Sequence, residues 1–557
     1  VRTNAYDKAG HVTGRTDRGG TFGWTYKENS TKVISSKFTQ GSTTEQTNYE
    51  YNSLDQNTKV TDAKGKSYIF DYNEKGNVRA YTAGNNAGSG FTYDVTGKLT
   101  ALDIGTANND LILSETYKYD ENDNRTEIIS YKTDGSTDKT TSYEYDAIDQ
   151  LTKETLPDGT IKEYAYDGFG NRTSIKVTEP GKAAQQTNAE FNIGNELIKF
   201  GNDTIKYDEN GNRTEDGQYT YTWNAADQLT SITKKGETSP LATYKYDDDD
   251  RRIEKSINGQ VTRFYYDGDS INPLYETDGS GNVLRSYVYS MDGVRLSMQT
   301  GGKTYYYHYN PHGDVIAMTD DSGTVVVKYA YDAWGNAQKQ VVSGQTDIKN
   351  PFTYAGYMQD DETGMYYLIA RYYNPEQGVF ISADPDPGDS DDPITQNSYT
   401  YVSNNPVSNV DEDGNKKKKR NVNMTAQTRK NVAYMKKVRK RAKLMSVVPG
   451  GRAVGTAYKY YTFYKLVRNG GKWDYKQKYS SVRYRGKKMS GESFGNYHYG
   501  VVGAAAGINK RTLLIAAGAA QKRAETSVWS FRKSYWDDPR DQRMIRKGIR
   551  AYKKRRY

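Results

Sequence analysis

A tyrosine followed by asparagine or aspartate recurs through the first half of the chain, as Tyr51-Asn52, Tyr72-Asn73, Tyr93-Asp94, Tyr119-Asp120, Tyr145-Asp146, Tyr166-Asp167, Tyr207-Asp208, Tyr246-Asp247 and Tyr266-Asp267. The Asn/Asp positions step by 21, 21, 26, 26 and 21 residues through Asp167, and the next step of 41 spans two units. A fixed period of this length excludes a conventional globule, because each unit buries its face only against the next. In Tyr164-Ala165-Tyr166-Asp167-Gly168-Phe169-Gly170-Asn171-Arg172 the alternating tyrosines read as a strand with both rings on one face. Asp167, Gly170 and Asn171 read as a turn, since Asp caps its own turn while Gly and Asn tolerate positive φ. A return strand over Thr173 to Val177 then completes a hairpin of roughly 20 residues. The prediction is a stacked or spiralling antiparallel sheet.

Only 35% of the 557 residues are hydrophobic, but 52 are tyrosine, which buries large area while keeping a polar tip. A tyrosine face can bind carbohydrate. Its repetition in every unit favours structural stacking.

There is no cysteine, which excludes a disulfide scaffold, thiol catalysis and Cys-type zinc sites. Four histidines in the whole chain argue against a His-rich metal enzyme. The most apolar stretch, Val501 to Ala520, is interrupted by Asn509, Lys510 and Arg511, so no membrane span is expected. The sequence opens at Val1 inside a polar pattern with no apolar leader, which suggests either a cytosolic protein or a C-terminal piece of something longer.

Charge divides the chain. Residues 415–557 hold 39 Lys and Arg against six Asp and Glu, a net of +33, whereas residues 1–414 carry a net of −24. The switch falls at Asp411-Glu412-Asp413-Gly414, just before Lys416 to Arg420, and marks a domain boundary. A unit of +33 needs an anionic partner: nucleic acid first, with anionic lipid or an acidic protein as alternatives. The acidic segment could shelter the basic one.

The basic unit reads as mainly helical. Thr425 is placed to cap a helix through about Met445, with Val432, Met435, Val438 and Ala442 on one face. Asn509 is placed to cap a helix from Lys510 to about Glu525, and Asp538-Pro539 to open a last one. The unit's acids are Asp474, Glu492, Glu525, Asp537, Asp538 and Asp541. A Mg²⁺ nuclease would need carboxylates brought together, for instance Asp474 with Asp537 or Asp541. A metal-independent ribonuclease needs a base, an acid and cations for the phosphate. His498, Lys476, Asp474 and nearby arginines could supply them, with histidine the natural proton carrier near neutral pH. The plainer roles are a helix cap for Asp538, a capping-box position for Asp541, a core ring for Trp473, and an Asp474–Lys476 pair sharing one strand face.

Three segments locate the chain among known sequences. Asp361-Glu-Thr-Gly364-Met-Tyr366-Tyr367-Leu368 through Arg371-Tyr372-Tyr373-Asn-Pro375, Phe380-Ile-Ser382-Ala-Asp384-Pro385 and Asn397-Ser-Tyr399-Thr-Tyr401-Val-Ser-Asn404-Asn405-Pro406, added to the repeats, resemble the Rhs/YD-repeat family and its Rhs-associated core. The resemblance covers almost all of 1–414. It implies a β-sheet spiral forming a hollow shell around a C-terminal toxin: repeats over 1–350, the core over 351–414 and the toxin over 415–557. The array is shorter than a full shell, so Val1 is not expected to be the natural start. Wall-associated YD-repeat proteins of Gram-positive bacteria are similar, which implies secretion, cell-wall association, a target-cell surface receptor and contact-dependent delivery. Some members cut themselves after a final Asp-Pro-x-Gly, using an arginine and aspartates. Asp384 and Asp411 match the aspartates. Val379 stands where the family has the arginine of Gly-Arg-Phe, and Asp411-Glu412-Asp413-Gly414 lacks the proline.

Within the basic unit, Gly471-Lys-Trp473-Asp474-Tyr475-Lys476, Phe494-Gly495-Asn496-Tyr497-His498-Tyr499-Gly500 and Trp536-Asp537-Asp538-Pro539-Arg540-Asp541-Gln542-Arg543-Met544-Ile545, together with Ala517-Gly518-Ala519-Ala520-Gln521, resemble bacterial toxin 44 over roughly 465–550. That family implies a helical RNase neutralised by a cognate immunity protein. The matching positions assign catalysis to His498, Asp474, Lys476, Asp538 and Asp541. RNA contacts fall to Trp473, Asn496, Gln521, Arg540 and Arg543. The expectation is a multidomain chain: an all-β repeat shell carrying a mainly α-helical toxin that cleaves RNA, tRNA among the candidates, in the cytoplasm of a competitor. No cofactor is expected, with Mg²⁺ entering only at a carboxylate site. The rivals are a non-enzymatic wall or glycan-binding adhesin and a Mg²⁺-dependent DNase.

Overall fold

The computed structural model describes residues 3–17, 20–28, 30–40, 43–268, 270–385, 396–414, 422–445, 451–468, 473, 475–478, 481–485, 487–523 and 539–554. The chain divides into two compact units, with the break at residues 416 and 417.

The first unit is β throughout. Each strand pairs antiparallel with its neighbours in sequence, giving among the described residues a 19-stranded sheet from Thr3–Tyr6 to Asp203–Thr204 and a 14-stranded sheet from Lys206–Tyr207 to Ala337–Val341. In the repeat unit above, strands Ile161–Tyr166 and Arg172–Thr178 pair with a register shift between Ala165 and Tyr166. Asp167 Oδ1 accepts from the backbone N–H of Phe169 and Asn171, both at 2.9 Å, and Gly170 has φ +78°. Where glycine is missing from that position of the turn, Asp149, Asn195 and Asp227 take the left-handed conformation instead, as the residues best able to tolerate it.

The tyrosine ahead of most turns has a further role that periodicity does not reveal. Its hydroxyl donates to the carbonyl of a residue at the start of an earlier return strand: Tyr72 to Asn57, Tyr93 to Val78, Tyr145 to Arg125, Tyr166 to Leu151, Tyr246 to Leu229 and Tyr331 to Val315, at 2.6–2.8 Å. Ring burial and a satisfied polar tip thus tie successive hairpins together, which is the stacking role expected of this face.

The two sheets pack against each other. Tyr68 bonds Ser297 Oγ at 2.6 Å, Asn85 donates to Thr319 Oγ1 at 2.8 Å, and Lys162 pairs with Asp332 at 2.8 Å. Residues 351–414 close the unit around Tyr354, Tyr366, Tyr373 and Tyr401. Their asparagines read the repeat turns directly: Asn397 donates to Asn171, Asn404 to the Gly170 carbonyl and Asn405 to Asn124.

The second unit has its own core, which is the condition for folding alone. It contains six described helices: α1 (Thr425–Met445), α2 (Gly451–Val467), α3 (Tyr475–Lys478), α4 (Gly491–Ala505), α5 (Lys510–Arg523) and α6 (Pro539–Lys553). Val432, Met435, Val438 and Ala442 of α1 are buried, and Asn509 caps α5 by accepting from Thr512 N–H. Two expectations need correction. Thr425 is the first residue of α1 rather than the residue before it, and its hydroxyl accepts from the N–H of Arg485, 60 residues away. The unit also holds a small sheet, Val422–Asn423 parallel to Ser481–Tyr484 and the latter antiparallel to Lys487–Ser490, which the helical reading missed. The Asp538 cap lies outside the described residues. No described helix is long and apolar enough to cross a membrane.

Candidate functional site

Two sites emerge, one in each unit. At the end of the β unit, Arg371 is 3% exposed and gathers groups distant in sequence. Its Nη2 lies 2.8 Å from Asp384 and 3.4 Å from Asp411, Nη1 donates to the Ser398 carbonyl at 2.9 Å, and Nε donates to the carbonyl of Gly414. Burial pulls the guanidinium below its ordinary value, while Asp384, Asp411 and Asp413 oppose that shift. Asp411 is further held by its N–H donating to Tyr357 Oη at 2.7 Å. Gly414 has φ +71°, and an added Cβ would crowd the Leu368 carbonyl, so only glycine passes here. Asp384 and Asp411 are therefore brought together as a pair. The motif comparison left this pair without an arginine, because Val379 occupies the family position; Val379 packs instead against Ala189, Leu197 and Ile205. Arg371 instead meets the pair from another strand end, which spacing alone could not disclose.

In the second unit the focus is His498, on the buried side of α4. Ser490 starts that helix by accepting from Ser493 N–H. The imidazole is fully buried. It meets Tyr475 at 4.7 Å and Trp473 at 5.8 Å, both edge-on, and Phe494 at 5.8 Å. Gln427 donates to Asn431 Oδ1, and Asn431 Nδ2 donates to Tyr475 Oη at 2.7 Å and to His498 Nε2 at 3.1 Å. The ring thus accepts at Nε2. Its Nδ1 is buried without a partner among the described residues. Burial lowers its pKa to about 3, so the imidazole is neutral at ordinary pH.

The other predicted residues are distributed around this core. Lys476 is half-buried on α3 rather than on a strand, and its backbone runs against Gly495. Trp473 is buried, with the exposed Tyr434 edge-on at 5.8 Å. Asn496 is buried in α4, and its Nδ2 has no hydrogen-bond partner among the described residues. Asp541 is buried in the first turn of α6, and Arg543 is exposed. Helices α4 and α6 run antiparallel in close contact, with Gly500 against Ile545 and Gly548 against Tyr497. That register sets Asp541 near the level of Ala504, about 9 Å along the axis from His498 at 1.5 Å per residue. Asp541 and His498 are not brought together. Asp474 and Asp538 lie outside the described residues, as do the side chains of Gln521 and Arg540. Among the described residues no group of three or more His, Asp and Glu side chains is placed to hold a metal. Asn431, which completes the buried polar cluster, carried no sequence signal beyond its residue type, while Tyr475 lies inside the Gly471–Lys476 motif without a role assigned to it.

Comparison with known proteins agrees with this division. Residues 85–407 match the family Teneurin YD-shell, and residues 462–554 match Bacterial toxin 44. Over 391 residues the chain is 49% identical to the tRNA3(Ser)-specific nuclease WapA of Bacillus spizizenii and 49% identical to the tRNA nuclease WapA of Bacillus subtilis. Each match covers 70% of this chain and 16% of the relative, so the chain spans about a sixth of their length. The crystal structure of TcdB2-TccC3-Cdc42 shares the fold at a TM-score of 0.57 and 18% identity, over 74% of this chain and 25% of that one. The chain belongs to the Teneurin YD-shell family, is similar to the WapA proteins, and matches Bacterial toxin 44 over residues 462–554.

Proposed function

We propose that this chain is a nuclease toxin in which the β unit is the carrier and residues 415–557 cleave RNA, with tRNA as the preferred class. The observation that carries this reading is a separately cored unit of net charge +33 whose residues 462–554 match a toxin family, in a chain whose relatives are named tRNA nucleases. The excess of cations supplies affinity for a phosphate backbone without sequence choice. The proposal extends to secretion, association with the cell wall, entry through a surface receptor into a competitor's cytoplasm, shelter within the carrier, and neutralisation by a cognate immunity protein.

Chemistry at the site follows from burial. His498 is assigned a positioning role: neutral and sealed, it fixes Tyr475 and Asn431 under the surface formed by Trp473 and Tyr434. Proton transfer and charge stabilisation are assigned to Lys476, Asp474, Asp538 and Asp541, with Asn496, Gln521, Arg540 and Arg543 contacting RNA. The test is cleavage of a tRNA pool by residues 415–557 with and without EDTA, beside His498→Gln and Lys476→Met. Cleavage that survives EDTA, falls strongly in Lys476→Met and persists in a folded His498→Gln supports this assignment. Loss to EDTA moves the chemistry to a carboxylate-held metal. Intact RNA throughout sinks the nuclease reading.

The Arg371 cluster supports a second activity, hydrolysis of the peptide bond after Gly414. Arg371 polarises the Gly414 carbonyl, and one of the paired carboxylates, Asp384 or Asp411, takes a proton from the attacking water. The products are a carboxylate at Gly414 and an amine at Asn415.

A further inference from the structure

We infer that the solvent face of α1 is a docking track for single-stranded RNA, formed by Lys430, Tyr434, Lys437 and Arg441. This rests on the nuclease reading only in choosing RNA as the anion. The helix lies before residue 462, outside the segment that matches Bacterial toxin 44.

The track is a property of helical geometry. Spacings of four, three and four residues align the four side chains along one line, about 17 Å long at 1.5 Å per residue. The buried face of the helix, Asn431, Val432, Met435, Val438 and Ala442, points elsewhere. All four track residues are exposed. None of the three cations has a carboxylate partner among the described residues, and α1 contains eight Lys and Arg but no Asp or Glu. A merely solvated helix face mixes signs, because like charges at neighbouring turns repel. A single-signed face is relieved by an external polyanion.

Tyr434 decides which polyanion. It is 47% exposed in the middle of the cationic line and packs edge-on against Trp473, which in turn packs edge-on against His498. A ring held this way offers a stacking platform to an unpaired base and places that base over the buried cluster. Paired bases present no such face to it, which favours a single strand or loop over a duplex. A lipid surface is disfavoured because α1 exposes one large apolar side chain, Leu444, besides the tyrosine.

The test is fluorescence anisotropy of a single-stranded RNA 12-mer with 2′-O-methyl riboses, which binds but is not cut at its blocked hydroxyls. Residues 417–557 are used, with a thermal melt as the fold control for each variant. Tyr434→Ala should weaken binding about 5- to 150-fold, the range for one base–aromatic stack, and Tyr434→Phe should restore it. Lys437→Gln should lower the slope of log K against log salt by about 0.7, and Lys430, Lys437 and Arg441 changed together by about 2. Duplex RNA of the same sequence should not respond to Tyr434. Unchanged affinity and slope in these variants overturns the track. So does an equal loss for duplex and single strand, or Tyr434-dependent binding to phosphatidylglycerol vesicles in preference to RNA. Binding that follows the substitutions in a protein that cuts no RNA would sink the nuclease reading and leave the track standing; cutting indifferent to α1 would do the reverse.

Discussion

At the residue scale, burial overrides residue type. Histidine is the natural proton carrier near neutral pH, and the sequence offers the second unit only one. Its position inside an aromatic cage lowers the pKa from 6.5 to about 3, so the imidazole is neutral at ordinary pH. The sign follows from linkage. The unfolded state binds the proton more tightly, so the stability contributed by His498 is present above pH 6.5 and is lost as pH falls toward 3. Thermal melts of 417–557 between pH 7.5 and 4 should show this loss, and His498→Gln should flatten it. Glu154 gives the opposite case. It is buried in the β unit, accepting from Tyr164 Oη and from Ala333 N–H. Burial, with Asp332 nearby, raises its pKa from 4.5 to about 7. Its contribution is full below pH 4.5 and is lost as pH rises through 7, by on the order of 3 kcal/mol. Glu154→Gln should narrow the difference in melting temperature between pH 5 and pH 8.

At the scale of elements, local rules were legible and contacts between elements were not. The turn at Asp167 needs only its own side chain and a glycine two residues before the return strand, so the motif predicts it directly. The apolar stripe of α1 likewise reads from spacing, and Asn509 was recognisable as a cap. Thr425 shows the limit: a capping residue by type, it is claimed by Arg485 from a different element. The glycines of α4 and α6 show another. A glycine-to-alanine change in an ordinary helix interior stabilises by about 1 kcal/mol. At Gly548 the new Cβ would collide with the Tyr497 carbonyl, and at Gly500 with that of Ile545. Gly548→Ala should therefore destabilise the unit by about 1–3 kcal/mol, the cost of overpacking, in chemical denaturation. A stabilised variant would mean that the two helices are not in this register.

For the whole molecule, the −24 and +33 halves coincide with two units that each bury their own core. The end of the first unit carries the Arg371 cluster, and the full chain is expected to yield a fragment beginning at Asn415. Asp384→Asn, Asp411→Asn and Arg371→Met should each abolish it, read by gel mobility and N-terminal sequencing. A cut elsewhere, or one that survives all three changes, would remove the assignment. The repeat period, the turn chemistry, the helix stripes and the charge split were determined by the sequence itself, because they depend on neighbours within a few residues or on sums over composition. Tertiary structure alone decided that Arg371 meets Asp411 across 40 residues, that Asn431 meets His498 across 67, and that Tyr166 ties down an earlier strand at Leu151. Those pairings depend on where the chain returns in space. The environment they create, dry for His498 and charged for Asp384 and Asp411, sets what the same side chains can do.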